Sequence, residues 1–407
     1  MKNRYKSLKK YFLVLMIFMI LQVCGGFTCY ALSDEGGQAD KTIEDRILQE
    51  QSKAGGIAKI EEELDNYMDK DSKSMLDGVD PSEIIGDISA GKLDFNFKNL
   101  MNNALKYLFN ELYQNLGILI KLAVLIVICA LLRNLQSAFL SDSVSEIAFY
   151  VCYIVIVSIL LVSFSTAIKL GVEIIDGMVG FMYATVPVLI TLLVSGGNIT
   201  TGGIFQPVML MVVEVTATII KNVFIPLIFL STILAIVNNI SEKVQLTRLA
   251  GFIKQISLWA LGIILTLFIG VVSLQGSMGA VVDGVTQKAA KFAISTFIPI
   301  VGKTLSDAAD TVIGCTLLIK NAAGVAVMLG VILICIVPLI KIIALVALYK
   351  AAGALLEPIS EKRITNCIND VAGSILHIFA VTAAVAVMFL ISVTALISAG
   401  NLSAMLR

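Results

Sequence analysis

Beyond residue 115 the chain is dominated by apolar stretches about as long as a bilayer is thick, five of them interrupted by a proline or an ionisable side chain. A backbone in hydrocarbon has no water to bond to, so a crossing segment must be an apolar helix or part of a closed barrel. A helix needs about 20 apolar residues to cross. Ile147–Ile168 and Ile256–Leu274 reach that length. The expected fold is therefore all-α: a polytopic helical membrane protein carrying a small helical extracytoplasmic domain at its N-terminus.

Eight spans are expected: Leu116–Leu132, Ile147–Ile168, Val172–Val194, Ile204–Ile220, Val223–Ile240, Ile256–Leu274, Ala322–Leu348 and Val371–Ser398. Ala322–Leu348 reads as one long tilted helix or a broken one. The domains that follow are a signal peptide (1–31), a polar extracytoplasmic segment (32–115), a membrane domain (116–399) and a short tail (400–407). Within the membrane domain, 275–321 reads as amphipathic or re-entrant.

Composition narrows the function classes. Hydrophobic residues make up 57% and charged residues 15%, whereas soluble domains carry about 25% charged residues. Acidic and basic residues balance at 30 each, so no basic surface calls for a nucleic-acid partner. Seven cysteines occur without a CxxC pair, and the one histidine, His377, has no cysteine near it. That pattern offers no zinc site. Gly302-Lys303-Thr304 resembles the tail of a phosphate loop, but Phe297 stands where the motif needs glycine. HExxH and GxSxG are absent as well. The expectation is a non-enzymatic protein with no metal and no cofactor.

Met1–Tyr11 carries five basic residues and precedes the apolar run Phe12–Val23. This is the layout of a secretory signal, with Cys29 and Ala31 as the small residues before a cut after Ala31. An uncleaved anchor is the alternative. In 32–115, Ile43, Ile47, Ile57, Ile60 and Leu64 recur at helical spacing, and Asp80-Pro81 reads as a helix start. From Phe97 to Tyr113 an apolar stripe opposes Lys98, Asn102, Asn103, Lys106 and Asn110, predicting an amphipathic helix on the membrane surface or against a partner.

With residue 115 outside, the loops 241–255 and 349–370 fall in the cytoplasm, and their lysines and arginines obey the positive-inside rule. Pro187, Pro207, Pro226, Pro299 and Pro338 lie among apolar neighbours and are expected to bend or break their helices. Ser195–Gly203, polar and uncharged between two of these prolines, suits either a re-entrant tip or an ordinary loop. The echo between Ile219–Asn222 and Leu318–Asn321 hints at an internal repeat.

Ionisable groups inside spans are costly and usually face a bundle interior. Lys121, Glu214 and Lys341 are the candidates, with Lys121–Glu214 or Glu214–Lys341 as neutralising pairs; snorkelling is the alternative for the lysines. His377 reads as a satisfied helix residue. Between the sixth and seventh spans, Asp283, Gln287 and Lys291 recur every four residues, and Asp307 and Asp310 continue at helical spacing past Pro299. Two amphipathic helices joined at that proline would lie at the interface or line a wet passage.

The run IPLIFLSTILAIVNNISEKVQLTRLAGFIKQI (225–256) resembles the stage III sporulation protein AE family of endospore-forming bacteria. So do VDGVTQKAAKFAISTFIPIVGKTLSDAADTVIGCTLLIKN (282–321) and the ending AGNLS (399–403). The resemblance covers about residues 100–407. It implies a multi-pass subunit of the channel complex that joins mother cell and forespore and sustains late forespore gene expression. The implied location is the mother-cell membrane around the forespore. The implied partners are the lipid bilayer, the other stage III sporulation A-operon proteins (a secretion-type ATPase and ring-forming subunits among them) and stage II sporulation protein Q. A solute permease in or beside that complex is the alternative. The resemblance brings no catalytic residues.

Overall fold

A computed structural model of the chain describes residues 56–67, 97–139, 142–240, 246–297 and 302–405. The expected signal peptide, the Asp80-Pro81 helix start and Pro299 lie outside them. The described residues form helices and the turns between them, with no strand. In chain order these are α1 (Gly56–Tyr67), α2 (Phe97–Phe139), α3 (Asp142–Ser195), α4 (Ile199–Ile219), a π turn (Ile220–Phe224), α5 (Ile225–Ile240), α6 (Thr247–Phe297), α7 (Gly302–Leu356) and α8 (Lys362–Met405).

Six helical stretches are long and apolar enough to cross a membrane, where the sequence divides eight. Two expected breaks do not occur. Ile147–Ile168 and Val172–Val194 both lie in α3, which continues through Lys169, Gly171 and Glu173. Those charges, with Asp176, all fall on one exposed face, while Ile174, Ile175 and Met178 on the other stay buried. A charged face had been read as a loop. Ile204–Ile220 and Val223–Ile240 likewise form one path, carried through Lys221 by the π turn. Pro226 has no N–H to donate and its ring would crowd the carbonyl of Asn222; widening the preceding turn relieves that clash. Ile225 N–H accordingly bonds back to Ile220 O. Pro187, Pro207 and Pro338 sit inside uninterrupted helices. None of the three breaks its helix.

α7 and α8 form the centre of the bundle, with α3 against both and α6 against α8. Backbones approach closely where side chains vanish, as in other membrane bundles. An added Cβ on Gly330 of α7 would lie 2.6 Å from the Phe181 ring of α3, and one on Gly324 would collide with Ile397 of α8. Hydroxyls in the apolar helices turn back on their own backbone: Thr185 donates to Phe181 O at 2.7 Å and Ser392 to Met388 O at 3.0 Å. Such bonds satisfy an isolated hydroxyl in place.

Cross-helix bonds fix the level of one helix against another. Ser231 donates to Ala250 O and Gln275 to Ile204 O, both at 2.9 Å. Followed along the antiparallel helices, the two bonds set Glu214 of α4 level with Leu265 to Leu267 of α6. On α6, exposed apolar residues recur every three or four positions from Leu249 through Trp259, Leu267 and Leu274 to Val285. At 1.5 Å per residue that stripe is about 54 Å long, against a hydrocarbon core of about 30 Å. Leu267 stands at its midpoint, and Glu214 lies near that level.

Candidate functional site

At that level α3 and α4 carry an exposed polar stripe of their own. Lys169, Glu173, Asp176 and Tyr183 follow one face of α3 at helical spacing, and Glu214, Thr218 and Lys221 continue the stripe on α4 and the π turn. Two bonds tie the helices together there. Lys221 Nζ pairs with Asp176 Oδ1 at 2.5 Å, and Tyr183 O–H donates to Glu214 Oε2 at 3.2 Å. Thr218 also donates to Glu214, at 3.5 Å. Glu214 thus pairs with neither Lys121 nor Lys341, and it faces outward. The expected ion pairs are replaced by a hydroxyl clamp on an exposed carboxylate. Lys121, too, is exposed, and Lys341 is half-buried.

The short helix α1 lies against the same side. Ile60 and Leu64, 1% and 4% exposed, pack onto α3 and α7, with Leu64 beside Gly330. Tyr67 covers Gly180 and meets Phe181 edge-on, ring centroids 6.2 Å apart. Lys59 and Glu62 point away from the bundle. This helix was expected within a polar domain outside the membrane; it docks level with Tyr183 and Glu214. Its exposed Lys59 and Glu62 extend the polar stripe.

A second polar cluster sits at the end of the bundle where α3 turns into α4. Gly197, at φ 83°, occupies the left-handed position that closes a helix. Asn198 N–H bonds to Leu193 O and Gly197 N–H to Val194 O, a Schellman pair. Ser195–Gly203 is therefore neither a re-entrant tip nor a loose loop but a tight turn, with its second half the first turn of α4. Asp283, 2% exposed, caps that helix: it accepts from Thr200 N–H at 2.9 Å and Thr201 N–H at 2.8 Å. A carboxylate there meets both the orphan donors and the positive end of the helix dipole. Gln287 donates to Gly197 O at 2.6 Å. Asp283 and Gln287 thus clamp the turn instead of lining a passage.

Lys320 is the other anchor. It is 1% exposed and donates to Ile397 O at 2.8 Å and Asn401 Oδ1 at 3.4 Å, with Gly400 of α8 pressed against it. The sequence reading leaves Lys320 within the amphipathic or re-entrant stretch 275–321. Its signal was present in the ending Gly400-Asn401, which supplies the space and the acceptor. Further along the hairpin, Lys291 pairs with Asp310 and Asp307 is exposed. The two expected interfacial helices are the ends of α6 and α7. At the opposite end, Asn239 donates to Asp370 at 2.9 Å, tying α5 to α8. His377 is buried with Nε2 unpartnered, so it is not the satisfied residue expected.

Neither cluster gathers a nucleophile with a base. No group of three or more metal-ligating side chains occurs among the described residues. The chemistry on offer is placement of charge in an apolar surround.

Comparison with known proteins agrees with the resemblance read from the sequence. No solved structure matches the chain. A curated protein of Bacillus subtilis (strain 168), Stage III sporulation protein AE, is 36% identical over 377 residues, covering 91% of this chain and 94% of its own length. The family described as Stage III sporulation protein AE matches residues 79–400. The chain belongs to the stage III sporulation protein AE family.

Proposed function

We propose that the protein is a non-enzymatic membrane subunit of a complex connecting mother cell and forespore, and that its bundle forms part of the wall of a conduit. The observation that carries this reading is an exposed polar stripe on α3 and α4 at the level where α6 exposes an apolar one. A side chain such as Glu214 facing lipid there is strongly disfavoured, while the α6 side at the same level is apolar. A wall between lipid and water needs that division. Family membership supports a role in sporulation. The expected partners are the other stage III sporulation A-operon proteins, with their secretion-type ATPase and ring-forming subunits, and stage II sporulation protein Q across the gap. The expected site is the mother-cell membrane around the forespore, where the complex sustains late forespore gene expression.

Replacement of the chromosomal copy in an endospore former tests this. Glu214→Ala removes the clamped carboxylate and should lower spore yield at least tenfold at normal protein level, with late forespore reporters falling in parallel. Lys121→Ala should leave yield within about twofold. Full sporulation of the Glu214→Ala strain would remove the stripe from the account of function.

A further inference from the structure

Resting on the conduit reading, we propose that copies of this chain close around the charged stripe as a ring, with α1, α3 and α4 toward a water-filled centre and α6 toward lipid. Three observations converge. First, Lys169 and Glu173 are exposed and form no ion pair among the described residues. The stripe's other charges already meet partners within the chain. Second, the 12 described residues of α1, about 18 Å of helix, lie against α3 and α7 beside the stripe. Lys59 and Glu62 are exposed there, which only water or protein can accommodate. Third, the apolar stripe of α6 leaves the opposite side suited to acyl chains.

A single bundle with these faces would set charges in hydrocarbon. Lipid is kept from a wet face only by protein closing around it, and repeated contacts between identical chains close into rings. The membrane orients every copy alike, so neighbours are related about the membrane normal and meet at equal depth. Lys169 and Glu173 lie one turn apart, about 6 Å along the axis, within a lysine's reach. The lower end of the stripe thus carries both signs at nearly one level, and where the ring narrows around its axis Lys169 of one copy meets Glu173 of the next. Asp176, Tyr183 and Glu214 above them face the water.

The test uses the full chain in sporulating cells, with its native partners present. In a background lacking the native cysteines, Lys169→Cys and Glu173→Cys chains are co-expressed and treated with a short bis-maleimide. Dimers and higher multiples of this chain are expected, each single variant alone giving far fewer. In the cysteine-containing protein, Lys169→Glu and Glu173→Lys should each cut spore yield tenfold or more. The double swap should restore most of it, a readout that simple misfolding would not produce. Cross-links to other proteins only, or no rescue, would overturn the ring; Glu214→Cys still reacting with a membrane-impermeant thiol reagent would then leave the conduit reading standing. A Glu214→Cys chain inert to that reagent would overturn both.

Discussion

Gly400→Leu should prevent the protein from accumulating in the membrane. Even one carbon on Gly400 collides with Lys320 Nζ and comes within 2.8 Å of Leu193 Cδ1. Lys320 cannot yield, because its donations to Ile397 O and Asn401 Oδ1 are what make its burial tolerable. Overpacking a core costs about 1–3 kcal/mol, and leaving a buried donor unpaired costs about 1–3 kcal/mol more. Their sum reaches the lower end of the whole stability of a typical domain, about 5–15 kcal/mol. Immunoblotting of membrane fractions should show less than a tenth of the normal amount. The paired substitution Lys320→Met with Gly400→Ala removes the ammonium and opens the space, so it should recover accumulation. Normal levels of the Gly400→Leu chain would mean that Lys320 does not sit against α8.

Asp283→Ala is expected to loosen the α3–α4 turn. Its two carboxylate oxygens satisfy two N–H groups in a buried helix start, and each such group left bare costs about 1–3 kcal/mol. A loss of about 2–6 kcal/mol should follow, together with faster proteolysis between Leu193 and Gly203 in detergent-solubilised protein. Asp283→Asn keeps one acceptor oxygen and should lose less than half as much. Equal stability of the Asp283→Ala and wild-type chains in a thermal-shift measurement would contradict the cap.

Asp283 also illustrates what could and could not be read in advance. Its four-residue spacing with Gln287 and Lys291 marked a polar helix face correctly. Whether such a face meets water or another helix end depends on a partner 82 residues away, which periodicity does not encode. The helical membrane class was legible because apolar length alone decides it. Span number was less so: the charges at Lys169, Glu173 and Lys221 look like interruptions, yet i, i+4, i+7 spacing keeps Lys169, Glu173 and Asp176 on one face of α3, and the π turn carries the helical path through Lys221. Glu214 stood out as an isolated carboxylate in an apolar run. Its clamp, Tyr183, is an ordinary helix tyrosine in the sequence and gains meaning only when α3 and α4 fold back on each other. The docking of α1 was hidden for the same reason, since Ile60 and Leu64 signal an apolar face without naming what it covers.

In the proposed conduit wall, one side of the bundle is wet and the other lipid-facing at the same depth. Spin labels at Glu214→Cys and Leu267→Cys, in a cysteine-free chain reconstituted into liposomes with its native partners, test it most directly. The account requires the label at position 214 to collide readily with a water-soluble nickel chelate, and the label at 267 to collide with oxygen but not with the chelate. Two labels with the same lipid-like collision profile would contradict it.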